Sequence, residues 1–230
     1  MLFRSIPEFQ HGELHIVSPL IGKFNVENTA IAASLAHLIG IDDNNIQHAL
    51  KSCEGAPGRM QRIRLPNGAL VLVDYAHTPD ALEKSLSTCR ALLNITGKGR
   101  LTVVFGCGGV RDTGKRPVMG KIAAEVADKV IITDDNPRNE PSETIIQDIL
   151  SGIEKNLLDK VTSISNRHDA IKHALTLSED REVILIAGKG HEEYQIIGQD
   201  IIPFSDLGTV KELISSIFLS QGEEIGRAHV

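Results

Sequence analysis

No apolar run in the sequence approaches the roughly 20 residues that a membrane span requires, and Met1-Leu2-Phe3-Arg4-Ser5 lacks the apolar core of a secretory signal. A membrane or secreted protein is therefore not expected; a cytoplasmic one is. Cysteine is scarce: Cys53, Cys89 and Cys107 are widely spaced, and none forms a Cys-x-x-Cys pair. That pattern excludes a disulfide scaffold and a structural zinc site and suits a reducing cytosol. There is no basic block either. Lys and Arg number 24 against 30 Asp and Glu, a formal charge of −6, so a nucleic-acid groove is not expected. What remains is ordinary: 230 residues, 41% hydrophobic and 23% charged, enough for one or two globular domains.

The first fifty residues differ from the rest. Glu13 to Ile21 reads as a strand ending at Gly22, and a helix follows with Ala30, Ala33, Leu35, Ala36, Leu38 and Ile39 at helical spacing and Asn28 as its N-cap. Gly40 stops it, and a shorter helix runs from about Asp42 to Ser52. Ala56-Pro57-Gly58 then marks a boundary. Beyond it, four short β-branched runs (Leu70–Val73, Leu101–Phe105, Val130–Thr133, Val183–Ala187) alternate with amphipathic segments near Pro79–Leu93, Pro117–Ala127, Ser142–Lys155 and His168–Ser178. The runs lack period-2 alternation, as strands covered on both faces do. The pattern predicts an α/β fold with a Rossmann-like, doubly wound and mostly parallel sheet. A hairpin, Tyr194–Ile197 with Ile201–Phe204, and a last helix, Leu207–Leu219, complete the reading.

Ligands bind such sheets at the carboxyl ends of the strands. The loops there read Asp74-Tyr75-Ala76-His77-Thr78-Pro79, Gly106-Cys107-Gly108-Gly109-Val110-Arg111-Asp112, Asp134-Asp135-Asn136-Pro137-Arg138 and Gly188-Lys189-Gly190-His191-Glu192. Gly109-x4-Gly114-Lys115 fills seven positions of a P-loop, but the eighth is Arg116, which has no hydroxyl for Mg²⁺. Gly106-x-Gly108 opens a dinucleotide fingerprint that Arg111 then breaks. The loop, with Arg111, Lys115 and Arg116, reads instead as a cradle for a carboxylate or phosphate.

Gly-Lys-Phe-Asn-Val-Glu-Asn, Ala-Pro-Gly-Arg-Met, Asp-Tyr-Ala-His-Thr-Pro-Asp, Asp-Asn-Pro-Arg and Gly-Lys-Gly-His-Glu occur in that order. Together they resemble the Mur ligases, ATP-dependent amide-forming enzymes of peptidoglycan assembly, from about Gly12 to Leu219. The resemblance implies that residues 1–55 are the end of the family's central ATP-binding domain and 57–220 its C-terminal domain. The UDP-sugar domain, the P-loop and the magnesium ligands of the family have no counterpart in this sequence, so the chain alone is expected to be inactive. The implied reaction joins meso-2,6-diaminopimelate to a UDP-N-acetylmuramoyl dipeptide through an acyl phosphate, with ATP and Mg²⁺ as cofactors, in a monomeric enzyme.

Carried over position by position, the resemblance assigns Arg111, Asp135, Asn136, Pro137, Arg138, Gly188 and Glu192 to diaminopimelate. It assigns Asn28, Arg59, Asp74 and His77 to ATP. The chemistry agrees: a carboxylate beside an ammonium calls for a guanidinium fork on one side and a carboxylate or carbonyls on the other. Arg138 and Arg111 suit the first role, Glu192 and the Gly188 carbonyl the second, and Pro137 fixes the backbone between Asn136 and Arg138. Lysine lacks the distal carboxylate and would leave Arg138 unpaired, a defect that costs a site roughly 10⁴-fold; diaminopimelate is therefore expected over lysine.

The plainer readings are an Asn28 that only caps its helix, a His77 that only starts one, a solvated Arg138, and a Glu192 confused with its neighbour Glu193. No step of the chemistry needs the Cys107 thiol, and no residue is assigned as a catalytic base, His191 included. Glu224 to Val230 resembles a translated sequencing adapter, so residues 221–230 are expected to be non-native or disordered. Two other functions are kept open: a folylpolyglutamate synthetase, against which Asp-Asn-Pro-Arg and Gly-Lys-Gly-His-Glu argue, and a stand-alone amino-acid or nucleotide-binding module. Against the latter stands the apolar face of the first helix, which would be exposed.

Overall fold

The β-branched runs form the strands expected of them. In the computed structural model, which describes residues 3–5, 8–9, 12–97 and 99–219, the chain falls into two units, Met1–Ala56 and Pro57–Val230.

In the first unit β1 (Phe3–Ser5) pairs antiparallel with β4 (Ile16–Ser18), and β2 (Glu8–Phe9) with β3 (Gly12–Glu13). Two helices follow, α1 (Lys23–Leu38) and α2 (Asp43–Lys51), the latter capped by Asp42, which accepts from the Asn44 amide at 3.0 Å. Asn28 is not a cap. The helix enters five residues earlier, after Gly22, and the Asn25 side chain donates to the Ile21 carbonyl at 2.8 Å across that entrance. Leu14, Ile16, Ala33 and Ile46 make the core of this unit. On α1, Thr29 and Ala33 are buried, whereas Ile31 (60% exposed), Leu35 (58%), Leu38 (76%) and the C-cap Ile39 (77%) face outward.

The second unit runs β5 (Gln61–Arg64), β6 (Leu70–Asp74), α3 (Pro79–Thr96), β7 (Leu101–Phe105), α4 (Lys115–Val126), β8 (Lys129–Ile132), α5 (Ser142–Leu150), β9 (Val161–Ser163), α6 (Arg167–Thr176), β10 (Val183–Ala187), β11 (Tyr194–Ile197), β12 (Asp200–Pro203) and α7 (Asp206–Ile214). Its six-stranded sheet has the order β5-β6-β10-β7-β8-β9. Only β5 is antiparallel; the other strands pair in parallel, as the sequence predicts. Alternate residues (Val71, Val73, Ile184, Ile186, Val104, Ile131) pack on α6 and α7 through Ala170, Ile171, Ala174, Val210 and Leu213. The pleat sends Leu72, Leu185, Val103 and Ile132 to the opposite face, where α3, α4 and α5 pack side by side.

Several strands and boundaries differ from the sequence reading: the single strand expected over Glu13–Ile21 is only β4 with the end of β3, and β1 and β2 were not expected. β5 is the polar run Gln-Arg-Ile-Arg, with Arg62 and Arg64 exposed, as an edge strand tolerates. β9 has three residues at the other edge. Helix α5 stops at Leu150 and a 3₁₀ turn takes up Lys155–Lys160; α7 stops at Ile214 and a wider turn follows over Ser215–Leu219. The expectation for 221–230 lies outside the described residues.

The register aligns the strand ends that matter. Asp74 lies opposite Ala187, Ile186 opposite Val104 and Phe105 opposite Ile132, so the loops after β6, β10, β7 and β8 leave the sheet side by side. Behind them sits Arg167, wholly buried. Its Nε and Nη2 donate to the Asp206 carboxylate at 2.7 and 2.8 Å, Nη1 to the Asp134 carbonyl at 3.2 Å and Nη2 also to the Ala187 carbonyl at 3.0 Å.

Gly120, inside α4, shows how closely this layer packs: a Cβ there would stand 2.1 Å from the Ile149 carbonyl oxygen of α5. Alanine is favoured over glycine within a helix by about 1 kcal/mol, but overpacking against backbone costs about 1–3 kcal/mol. The clash should win, and Gly120→Ala should lower stability by about 1 kcal/mol in urea unfolding. A gain in stability would show that α4 and α5 separate without cost.

A candidate ligand site at the carboxyl edge of the sheet

The four loops converge on one cleft of ≈ 550 Å³. Of the residues expected there, His77, Arg111, Asp135, Asn136, Arg138, Gly188 and Glu192 line it; Tyr75, Thr78, Gly108, Asp112, Lys115 and Tyr194 line it as well. Glu192 and Glu193 separate cleanly. Glu192 faces the cleft, while Glu193 is exposed and contributes its carbonyl to the Phe204 amide.

The loop after β8 carries the densest chemistry. Asp134 turns inward, where burial pushes its carboxyl above the usual range and the Ser142 hydroxyl donates to Oδ2 at 2.6 Å. Asn136 Oδ1 accepts from the Ile196 amide at 3.0 Å and from Lys189 Nζ at 3.0 Å, and its Nδ2 donates to Glu192 Oε2 at 3.1 Å. Arg138 holds a left-handed backbone, φ 55, which costs an L-residue energy unless its surroundings enforce it. They do: its amide donates to the Ile196 carbonyl at 3.0 Å, and its carbonyl accepts from the Gly198 amide at 2.8 Å, so the β11–β12 hairpin clamps it from both sides. Pro137 backs the loop and does not line the cleft.

The glycine-rich loop keeps only part of the anion cradle that its sequence implies, because Arg116 is withdrawn from it. Gly106 and Gly109 are there for close backbone approach: an added Cβ would lie 2.0 Å from the Thr133 carbonyl oxygen and 1.9 Å from that of Pro137. Arg116 is fully buried and committed. Its Nη1 and Nη2 fork onto Glu140 at 2.6 and 2.7 Å, Nη1 also reaches Asp148 at 2.8 Å, and Nη2 reaches the Gly108 carbonyl at 3.2 Å. Lys115 donates to the His77 carbonyl at 2.7 Å. Of the three cations, Arg111 alone combines exposure with a place on the cleft wall. Cys107 is buried against Met119, its thiol pushed up to about 12 chiefly by that burial, and is no nucleophile.

The loop after β6 holds a second group. Tyr75 packs on His77 (4.5 Å between ring centroids) and on His191 (5.1 Å), with the Arg59 guanidinium 5.8 Å from its ring. Burial, and then the charges of Glu192 and Asp135, raise the Tyr75 phenol above its usual range. Asp74 lies outside the cleft lining and its carboxylate is occupied: Met60 and Ala76 amides and the Ser85 hydroxyl donate to it at 2.8, 3.0 and 2.9 Å. Asn28 is an exposed residue of α1 in the first unit.

Compared with known proteins, residues 58–190 match the model for the Mur ligase, glutamate ligase domain. The chain is 47% identical over 196 residues to the UDP-N-acetylmuramoyl-L-alanyl-D-glutamate–2,6-diaminopimelate ligase of Haemophilus influenzae (strain 86-028NP), covering 85% of this chain and 38% of that protein. It is 48% identical over 208 residues to the ligase of the same name from Rickettsia felis, covering 90% of this chain and 38% of that one. A solved structure of a ligase of that name superposes with TM-score 0.67 at 41% identity, over 90% of this chain and 41% of the other. A Mycobacterium tuberculosis folylpolyglutamate synthase superposes with TM-score 0.59 at 24% identity, covers 81% of this chain and 44% of its own, and shares the fold. The chain thus spans about two fifths of the length of the curated relatives it matches.

Glu140 ties the glycine-rich loop to the β8 loop, and its environment is readable in pH. The hydrogen bonds from Arg116, then from the Val110 amide, hold its carboxyl down from 4.5 to about 2. A carboxyl lowered on folding contributes stability that is present above its unfolded value and is lost as pH falls through its folded one. Glu140→Gln should therefore be less stable than the parent at neutral pH, with the gap closing between pH 4.5 and about 2. Thermal unfolding across that range tests it, and a gap independent of pH would refute the assignment.

Proposed function

The chain belongs to the Mur ligase family, and from that premise we propose that it forms part of a cytoplasmic, ATP-dependent amide ligase that adds meso-2,6-diaminopimelate to UDP-N-acetylmuramoyl-L-alanyl-D-glutamate in peptidoglycan synthesis. The observation that carries the reading is the convergence of Arg111, Asp135, Asn136, Arg138, Gly188 and Glu192 on one cleft. They come from three separate loops and supply the complement of an amino-acid head group.

Arg138 has the geometry of a carboxylate fork. Among the described residues only its Nη1 is engaged, by the Gly109 and Asn136 carbonyls at 3.0 and 3.3 Å. Those contacts anchor the guanidinium and leave Nε and Nη2 as the paired donors that a carboxylate takes. Arg111 adds a second, exposed cation. Glu192 and Asp135, with the Gly188 carbonyl, receive the ammonium of the same head group, and Tyr75 and Tyr194 flank the space between. The other amine of the substrate is then the nucleophile, and holding it in place is the main contribution of this part of the enzyme.

ATP supplies the phosphoryl group that activates the acceptor carboxylate. The donor set fits a nucleotide in part: Arg59 has no carboxylate partner among the described residues, and it lies beside the Tyr75 ring, which itself packs on His77. Asp74 fixes the turn that carries them and would reach a ribose only with a lone pair left over from its internal bonds. Asn28 is the proposed contact from the first unit. For Mg²⁺ the described residues offer no fit, since no three His, Cys, Asp or Glu side chains among them converge.

The chain has no tryptophan and two tyrosines, both on the cleft, so tyrosine fluorescence reports its occupancy directly. Titration should show binding of meso-diaminopimelate and, for L-lysine, affinity lower by about 100-fold or more. Arg138→Met should weaken diaminopimelate by about 100-fold and leave lysine nearly unchanged. Equal binding of the two amino acids, or an unaffected variant, would sink the assignment.

A further inference from the structure

Beneath the head-group corner lies a residue that touches three of its members. Lys189 is fully buried, and its Nζ stands 3.0 Å from Asn136 Oδ1, 3.0 Å from Glu192 Oε2 and 3.5 Å from Asp135 Oδ1, with the Tyr194 ring 5.7 Å away. An ammonium has three donors and no acceptor, and here three oxygens surround it. Two of its donors are used within the protein and the third faces the Asp135 carboxylate as an ion pair, so Lys189 is turned inward and has no acceptor to offer a ligand.

We propose that Lys189 is a positioning residue that sets the ammonium-binding corner: it captures one oxygen of Glu192, orients the Asn136 amide, and leaves the other oxygen of Glu192 for the ligand. This rests on the reading above for the identity of that ligand. The bonds support it. Glu192 Oε2 accepts from both Lys189 and Asn136, whereas Oε1 has no partner among the described residues. Asp135 Oδ1 is buried, makes no hydrogen bond and lies 3.5 Å from Nζ, so the same ammonium also holds the second carboxylate of the corner by charge. Charge points the same way. Two carboxylates and one buried ammonium leave a single net negative charge, which one ligand ammonium neutralises. Without Lys189 the two carboxylates would repel, and Glu192, 17% exposed, has solvent to turn toward.

The test compares the 230-residue chain with its Lys189→Met variant, titrated with meso-diaminopimelate and with pimelate, the same carbon chain and carboxylates without the amines. Positioning of the ammonium corner predicts that the ratio of the two affinities falls by about 30-fold. A role confined to folding would weaken both ligands alike, and an unchanged ratio overturns the proposal. The Asn136 side-chain amide gives a readout that needs no ligand. Its protons should exchange slowly in the parent and lose that protection in the variant; retained protection overturns the proposal. If the parent binds neither ligand, the proposed function falls, and the Asn136 amide still decides the role of Lys189. If the variant does not fold, the parent decides: a scalar coupling between Lys189 Nζ and the Glu192 carboxylate carbon is expected, and its absence overturns the proposal.

Discussion

A guanidinium sealed from water, that of Arg167, holds the working end of the second unit together. Burying such a charge is costly unless each donor finds a partner. Here the partners are the Asp206 carboxylate at the start of α7 and the carbonyls of Asp134 and Ala187, where β8 and β10 give way to loops. One side chain from the first turn of α6 therefore registers two strands and a second helix against each other. The loops that carry Asp135, Asn136, Arg138 and Glu192 begin within a few residues of those carbonyls, so their relative placement is inherited from this contact.

Two more buried cations repeat the device nearer the cleft. Arg116 joins the glycine-rich loop to the β8 loop through Glu140, and Lys189 joins the β8 loop to the β10 loop through Asn136 and Glu192. Each is paired within the protein, Arg116 through both Nη atoms while its Nε has no partner among the described residues. The cleft thus sorts its positive charges into two kinds: internal ones that hold loops to one another, and Arg111, exposed on the wall, and Arg138, engaged through Nη1 only, which have donors left for a ligand.

Much of this was legible in the sequence because parallel strands write themselves plainly. The runs at 70–73, 101–105, 130–133 and 183–187 have one reading in an alternating α/β chain, and their carboxyl ends indicate where to look. The edge strands β5 and β9 were not legible, since an edge needs neither length nor an apolar run. The division of labour among the cations was hidden too. Arg111, Lys115 and Arg116 look alike on the page, and only the fold reveals that Arg116 is enclosed by Glu140 and Asp148. Glycine misled for a related reason: Gly106 and Gly109 have the composition of a phosphate loop, but their missing side chains make room for neighbouring carbonyls. Tyr194 left no signal, because its place on the cleft depends on a hairpin folding back to the Arg138 loop. Lys189 did leave one in retrospect: a lysine between two glycines of positive φ can be driven inward by the turn.

The enclosure of Arg116 has a consequence for how the cleft responds to its medium. Mobile ions screen charges that share the solvent, over about 10 Å at 0.1 M salt, and hardly reach pairs that do not. The fork between Arg116 and Glu140 sets the course of the glycine-rich loop from inside, whereas Arg111, a few residues along that loop, faces the electrolyte. Ionic strength will therefore act on the attraction that an incoming anion feels at Arg111 while leaving the shape of the loop alone. Across the salt concentrations a cell passes through, the cleft changes how often it is filled and keeps its form.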